Sequence, residues 1–267
     1  MYGLKTIRLT AFGLLALVSA PGSPAAELDD SLVAAIKARD AKQAAALLER
    51  GANPNFIIEY ESMPSQMTAA PLLILAANHG PSPEIIVLLI KKGASPITAT
   101  SRGWTALHSA ATHGYTEIIE ALLAAGVPAN IQNDLGYTPL ISAIHGGSLP
   151  AARLLVSRGA DVDLGDKWLG PPLHNAILHN VQNSRLGIIE LLLERGADTS
   201  GRNAAGETPL HVALRGRGGP TRNVVELLVK RGADLNAENK KGETPMALAK
   251  KSGDASLVKF LISSGAR

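Results

Sequence analysis

The sequence predicts an all-α fold built as a stack of short helix pairs, and three observations carry that prediction. A Gly-Ala or Gly-Val dipeptide recurs, with its glycine at positions 51, 93, 126, 159, 196, 232 and 265, at spacings of 42, 33, 33, 37, 36 and 33. A period near 33 with occasional insertions is the mark of a stacked repeat. The 267 residues are 46% hydrophobic but only 3% aromatic. The interior must therefore be filled by Leu, Ile, Val and Ala, which suits closely approaching helices better than a sheet sandwich. Within a period, apolar residues fall on one helical stripe, as Ile118, Ile119, Leu122 and Leu123 do.

The elements follow in chain order. Lys5 and Arg8 precede an apolar run from Ala11 to Ala20, then Pro21 and the small-residue stretch GSPAAE. This is a secretory leader layout, with cleavage expected after Ala25 or Ala26 and residues 1–26 as the signal peptide. The run is about half the ~20 residues that a membrane-spanning helix needs. Loss of the leader leaves 24 basic against 23 acidic side chains, so nothing global points to nucleic acid or to an anionic membrane. There is no cysteine, which excludes a disulfide framework and a thiolate metal site. The expected compartment is the bacterial periplasm, with secretion beyond the cell as the alternative.

Residues 27–55 read as an N-terminal helical cap. Repeats follow at about 68–96, 101–130, 134–163, 168–200, 204–236 and 240–267. In one unit, Thr105 is placed to cap a first helix carrying the small Ala110 and Ala111. Sister units put Pro139, Pro172, Pro209 and Pro245 at the first helical position. Gly114 breaks the chain, a second helix carries the apolar stripe, and Gly126 ends it as a left-handed cap. Two such helices cannot bury their apolar faces alone, so they must stack on the next pair. Lys250, Lys251, Asp254, Ser256, Lys259, Ser263 and Ser264 make the last unit polar, as a shield for the end of a stack.

The motifs TALH at 105–108, PPLH at 171–174 and TPLH at 208–211, with the variants TPLI at 138–141 and TPMA at 244–247, resemble the signature of the ankyrin repeat family. So do the second-helix runs EIIEALLAAG, IIELLLERGAD and VVELLVKRGAD. The resemblance covers residues 28–267. It implies helix-turn-helix pairs joined by β-hairpin fingers in a solenoid with a concave groove. It also implies that His108, His174 and His211 each hydrogen-bond a neighbouring Thr, a bond put in doubt for His174 because Pro171 stands there.

Departures from the period are where binding residues belong. The first finger, Phe56 to Ala70, is about eight residues too long; the connections at 178–187 and 215–223 are lengthened too. Of seven aromatics beyond the leader, Phe56, Tyr60, Trp104, Tyr137 and Trp168 fall in fingers, where exposed rings grip partners. Finger-against-finger packing is the competing explanation. His79, His113, His145 and His179 end the first helices of four consecutive units and are expected to form a row along the groove. Units stack at roughly 10 Å, too far apart for such a row to share one metal ion. The sequence has no phosphate-binding glycine loop, nucleophile elbow or zinc-protease motif. Asp29-Asp30 reads as helix-start capping and Asp161-Asp163 as turn chemistry. Arg215, Arg217 and Arg222 read as a solvated loop, with contact to an acidic partner as the alternative.

These readings add up to a non-catalytic protein-protein interaction module, a monomer without cofactor or metal. The expected partner-binding residues are Tyr60, Trp104, His113, Tyr137, His145, Trp168 and His179. The alternatives are an immunity-type inhibitor of a toxin or lytic enzyme, and a periplasmic stress or antioxidant accessory protein.

Overall fold

A computed structural model describes residues 23–59, 69–80, 82–180, 184–215 and 222–267. Residues 1–22 of the expected leader, Tyr60 and Arg217 lie outside the described residues. The chain divides into two compact units, Met1–Ser95 and Pro96–Arg267.

The first unit holds α1 (Pro24–Ala38), α2 (Ala41–Glu49), β1 (Ile57–Glu59), β2 (Ala69–Pro71), α3 (Leu72–Asn78) and α4 (Pro83–Lys91). Ser23 caps α1, its side chain accepting from the Ala26 N–H at 3.2 Å. The cleavage expected after Ala25 or Ala26 therefore falls inside a capped helix, and the helix starts earlier than residue 27. Asp29 lies within α1 and is buried. Its carboxylate accepts the Asn53 N–H at 2.7 Å, so it ties the helix to the turn after α2 and is not the capping residue expected. α1 packs on α3 and α2 on α4. The long first finger is not a bare loop: its ends pair as an antiparallel ribbon, Ile57 opposite Pro71 and Glu59 opposite Ala69.

The second unit repeats one helix pair five times. Its first helices are α5 (Ala106–His113), α7 (Pro139–Gly146), α9 (Pro172–Leu178), α11 (Pro209–Arg215) and α13 (Pro245–Ser252). The second helices are α6 (Thr116–Ala124), α8 (Leu149–Ser157), α10 (Leu186–Glu194), α12 (Arg222–Lys230) and α14 (Ala255–Ser263). The first helices pack in sequence, α5 on α7, α7 on α9, α9 on α11 and α11 on α13; behind them α6 packs on α8 and α8 on α10. The stripe Ile118, Ile119 and Leu122 is wholly buried, as are its counterparts Ile189 and Leu192. Each such side chain contributes about 1.5–3 kcal/mol relative to exposure.

The recurring dipeptide has a geometric cause. At the end of α6, Gly126 takes φ of 87° and the Val127 N–H reaches back five residues to the Leu122 carbonyl at 3.1 Å. This closes the last turn with a residue that only glycine fits without strain. The same backbone bond joins Ala160 to Leu155, Ala197 to Leu192 and Ala233 to Leu228. Gly146 serves a different purpose: a Cβ built there would lie 1.8 Å from the Thr112 carbonyl oxygen, so α5 and α7 approach too closely for any side chain.

Candidate functional site

The surface that differs most between repeats lies between the turns joining them and the C-terminal ends of the first helices. Each turn is wound around one side-chain oxygen. Asn133 Oδ1 accepts the N–H groups of Leu135 and Tyr137, both at 2.9 Å, while the Asn133 N–H donates to the Tyr137 carbonyl. Asn203 and Asn239 do the same, Thr100 does so with its hydroxyl, and Asp166 Oδ1 accepts from Trp168 and Leu169 at 2.7 Å. Side-chain oxygens holding local backbone N–H groups are how Asn and Asp specify turns. Within the second unit the fingers expected as β-hairpins are thus tight turns, and the bridges among them are single pairs, Ala99 with Thr105 and Asp166 with Gly170. Backbone bonds zip neighbouring turns together: Asp134 to Arg102, Lys167 to Leu135 and Lys240 to Ala205, at 3.0–3.1 Å.

This geometry gives two turn positions distinct fates. The outer one, two residues after the turn oxygen, carries Arg102, Leu135, Trp168, Ala205 and Lys241. Trp168 is 66% exposed there and Leu135 38%. The inner one, two residues further, carries Trp104, Tyr137, Gly170, Glu207 and Glu243, and faces the end of the following helix.

The inner position holds two of the expected site residues, Trp104 and Tyr137. Trp104 is half-buried; its indole N–H donates to Ser109 Oγ at 3.0 Å and its ring lies 5.1 Å from that of His108. It is part of the stack, unlike Trp168. Tyr137 presents its ring to the edge of His145 at 5.0 Å. His145 Nε2 donates to the Asn175 amide oxygen at 3.1 Å, and Asn175 in turn donates to Asp166 Oδ2 at 2.7 Å. Burial, and secondarily the Asp166 carboxylate, pushes the Tyr137 phenol above its ordinary range.

The four-histidine row does not form within the second unit as expected. His113 and His179 occupy one register and His145 stands one residue earlier, because Gly146 fills the matching position. His113 is exposed, donating from Nδ1 to the Ser109 carbonyl at 2.9 Å and stacking on Tyr115 at 5.4 Å. His145 and His179 do meet, with ring centroids 4.6 Å apart, closer than the spacing of the units because long side chains reach across. Among the described residues no group of three or more His, Asp or Glu could hold a metal ion.

The signature histidines are buried and structural. His108 Nε2–H donates to the Tyr137 carbonyl at 2.8 Å, so Nδ1 accepts, and it accepts from the Thr105 hydroxyl at 2.8 Å. Burial holds the His108 pKa down at about 4. His211 repeats the arrangement with Thr208 and Glu243. His174 keeps the Nε2 bond, to the Glu207 carbonyl at 2.9 Å. Its Nδ1, however, has no partner, because Pro171 offers neither hydroxyl nor N–H.

Charged residues missed in the sequence fill the inner position further on. Glu207 accepts from Arg215 at 2.9 Å and from Asn203 at 3.0 Å. Glu243 accepts from Lys251 and from Asn239; those bonds, Lys251 first, hold its carboxyl down at about 2. Arg215 is therefore the last residue of a helix and paired, not part of a solvated loop. Arg222 opens α12, pairs with Glu226 at 2.6 Å and lies 5.7 Å over the Phe260 ring. The signal available in the sequence was an eight-residue spacing, Tyr137 to His145, Glu207 to Arg215 and Glu243 to Lys251.

The arrangement is a stack of helix pairs whose turns and first-helix ends carry the side chains that differ between repeats. Three overlapping matches to the family model for ankyrin repeats cover residues 73–166, 112–203 and 173–267, and the chain belongs to the ankyrin repeat family. It is 35% identical over 140 residues to the mouse (Mus musculus) B-cell lymphoma 3 protein homolog, across 51% of this chain and 30% of that protein. It is 34% identical over 168 residues to human (Homo sapiens) SH3 and multiple ankyrin repeat domains protein 2, across 62% of this chain and 8% of that one. A stretch of 73 residues is 41% identical to mouse protein phosphatase 1 regulatory subunit 12A, across 27% of this chain and 7% of that protein. The chain thus spans less than a third of the length of each of these relatives. Among solved structures, the ankyrin repeat domain of Bcl-3 aligns with a TM-score of 0.71 at 26% identity, over 87% of this chain and 97% of that one.

Proposed function

We propose that the chain is a non-catalytic module that binds another protein across the turns and first helices of its second unit, with Trp168 and Leu135 as the anchors. The observation that carries this is the exposure of Trp168, 66% open to solvent on a turn whose backbone is fixed by the Asp166 carboxylate. A large rigid ring presented from a rigid frame loses little entropy on docking. Leu135 stands at the same position of the preceding turn, joined to it by the Lys167 to Leu135 bond, and extends the apolar tip. His113, Tyr137, His145 and His179 supply polar contacts beside the anchors; Trp104 holds the frame. The family supports the reading, since one relative is by its name a regulatory subunit of a protein phosphatase.

The module works after export, as a monomer in the periplasm. That part rests on the basic and apolar leader and on the absence of cysteine. No described helix is long and apolar enough to cross a membrane.

The test is affinity capture from a periplasmic extract with the wild-type chain and with Trp168→Ala. A protein retained by the first and lost by the second, at unchanged helical circular dichroism, is the expected result. Equal retention by both would refute Trp168 as an anchor.

A further inference from the structure

The unit's C-terminal cleft has a chemistry that the aromatic half lacks. A cavity of about 390 Å³ opens between the ends of α11 and α13 and the turn between them, lined by Leu214, Arg215, Lys241, Glu243, Leu248 and Lys251. The two leucines are buried and form its floor.

The ion pairs in this cleft are lopsided. Glu207 is 3% exposed where its partner Arg215 is 55% exposed, and Glu243 is 24% exposed where Lys251 is 66% exposed. The carboxylates lie underneath and the cations on top. Each acid also accepts from a turn asparagine, Asn203 or Asn239, so the negative charge is committed to the frame. A guanidinium carries five N–H donors and an ammonium three; Arg215 commits one to Glu207 and Lys251 one to Glu243. Lys241 is exposed at the outer turn position, and its ammonium makes no hydrogen bond or ion pair among the described residues. The surface offered to a partner is thus three cations with spare donors above an apolar floor.

We infer that this cleft docks an acidic polypeptide segment of the partner protein, whose Asp or Glu carboxylates meet Arg215, Lys241 and Lys251 while a neighbouring aliphatic side chain lies toward Leu214 and Leu248. The inference rests on the protein-binding reading above and adds the chemistry of the bound segment. A polypeptide fits better than nucleic acid because the positive charge is local: without the leader the chain carries 24 basic and 23 acidic side chains, whereas nucleic-acid binders neutralise many phosphates along an extended basic surface. The carboxylates beneath the cations, Glu207 buried and Glu243 part-exposed, also pre-position them, so little side-chain freedom is lost on binding.

The experiment is fluorescence anisotropy on the full chain with a short labelled peptide alternating glutamate and leucine, beside its counterpart with glutamine at each acidic position. The acidic peptide should bind at least about tenfold tighter than the glutamine one, with an advantage that shrinks as salt is raised. Lys241→Glu, which removes no hydrogen bond or ion pair of the frame but places a like charge near Glu243, should weaken the acidic peptide by about tenfold or more and lower the melting midpoint only slightly. Equal binding of the two peptides, no effect of Lys241→Glu, or displacement of the peptide by inorganic phosphate or a single-stranded oligonucleotide at lower concentration than by unlabelled peptide would each overturn it. A partner that depends on Trp168 but binds Lys241→Glu as well as wild type would leave the protein-binding reading standing and remove this one.

Discussion

The inner turn positions of the first two repeats of the second unit carry the rings of Trp104 and Tyr137, with the imidazoles of His145 and His179 at helix ends beyond them; between Glu207 and Lys251 the same two places carry carboxylates and cations. The frame beneath is the same. Thr105 and Thr208 hold their histidines alike, and Asn133, Asn203 and Asn239 wind their turns alike. The difference teaches that the side chains which fix the backbone and those which fill the cleft are separate sets on one short segment. The second set can therefore change from apolar to ionic without altering the fold.

The largest expected effect strikes the aromatic half. Gly146→Ala puts a methyl where the Thr112 carbonyl already is. Overpacking of a close helix contact typically costs about 1–3 kcal/mol, occasionally more, and here the upper end or beyond is expected, read as a drop in the urea midpoint. The corresponding end of α13, Ser252, is exposed, and Ser252→Ala should change almost nothing. Comparable losses from both would break the distinction.

Acid should act next, on the repeat of His108. The His108 pKa is held at about 4 by burial, against an ordinary 6.5. Between those values the unfolded chain binds the proton and the folded one does not. The stability contributed by this buried neutral imidazole is therefore intact above about pH 6.5, falls as pH drops, and is gone near pH 4, a loss of about 3 kcal/mol. The Glu243 carboxylate stays ionised down to about pH 2, so its pair with Lys251 outlasts that change. Hydrogen exchange at pH 4.5 should show amides of α5 and α7 losing protection before those of α13; the reverse order would contradict the assignment.

A smaller effect sits in the repeat between them. Pro171→Thr should give His174 Nδ1 the hydroxyl that His108 and His211 already have. An unmet buried polar group costs about 1–3 kcal/mol, and losing proline's restraint on the unfolded chain gives back about 0.4–1. A net gain of about 1 kcal/mol in chemical denaturation is expected. No gain would mean that the orphaned nitrogen is satisfied in solution.

The stack was legible from the sequence because its cause is local and repeated. A glycine in the left-handed region, a threonine before Pro-Leu and an apolar stripe each leave a mark every 33 residues. The cleft was legible only in part. Aromatics stand out in a chain with so few, and this pointed to Trp104 and Trp168 equally; which indole is covered depends on whether it falls at the outer or inner turn position. Glu207 and Glu243 escaped notice because charged residues are expected on any surface, Arg215 and Lys251 were read only as parts of a solvated loop and a polar end, and the pairing across eight positions has no meaning until a turn folds back on a helix. The offset of His145 can be counted in the sequence, seven residues after Thr138 where His179 stands eight after Pro171, but its cause, the clearance at Gly146, cannot.

The two tryptophans test the central claim, that fold and binding reside in different side chains, most directly. Urea unfolding and partner capture should be measured together on Trp104→Ala and Trp168→Ala. Trp104→Ala is expected to lose about 2 kcal/mol of stability as its contacts with His108 and Ser109 disappear. Trp168→Ala is expected to stay within about 0.5 kcal/mol of wild type and to lose the partner. If Trp168→Ala unfolded as easily as Trp104→Ala, or held the partner as firmly as wild type, the separation would not exist.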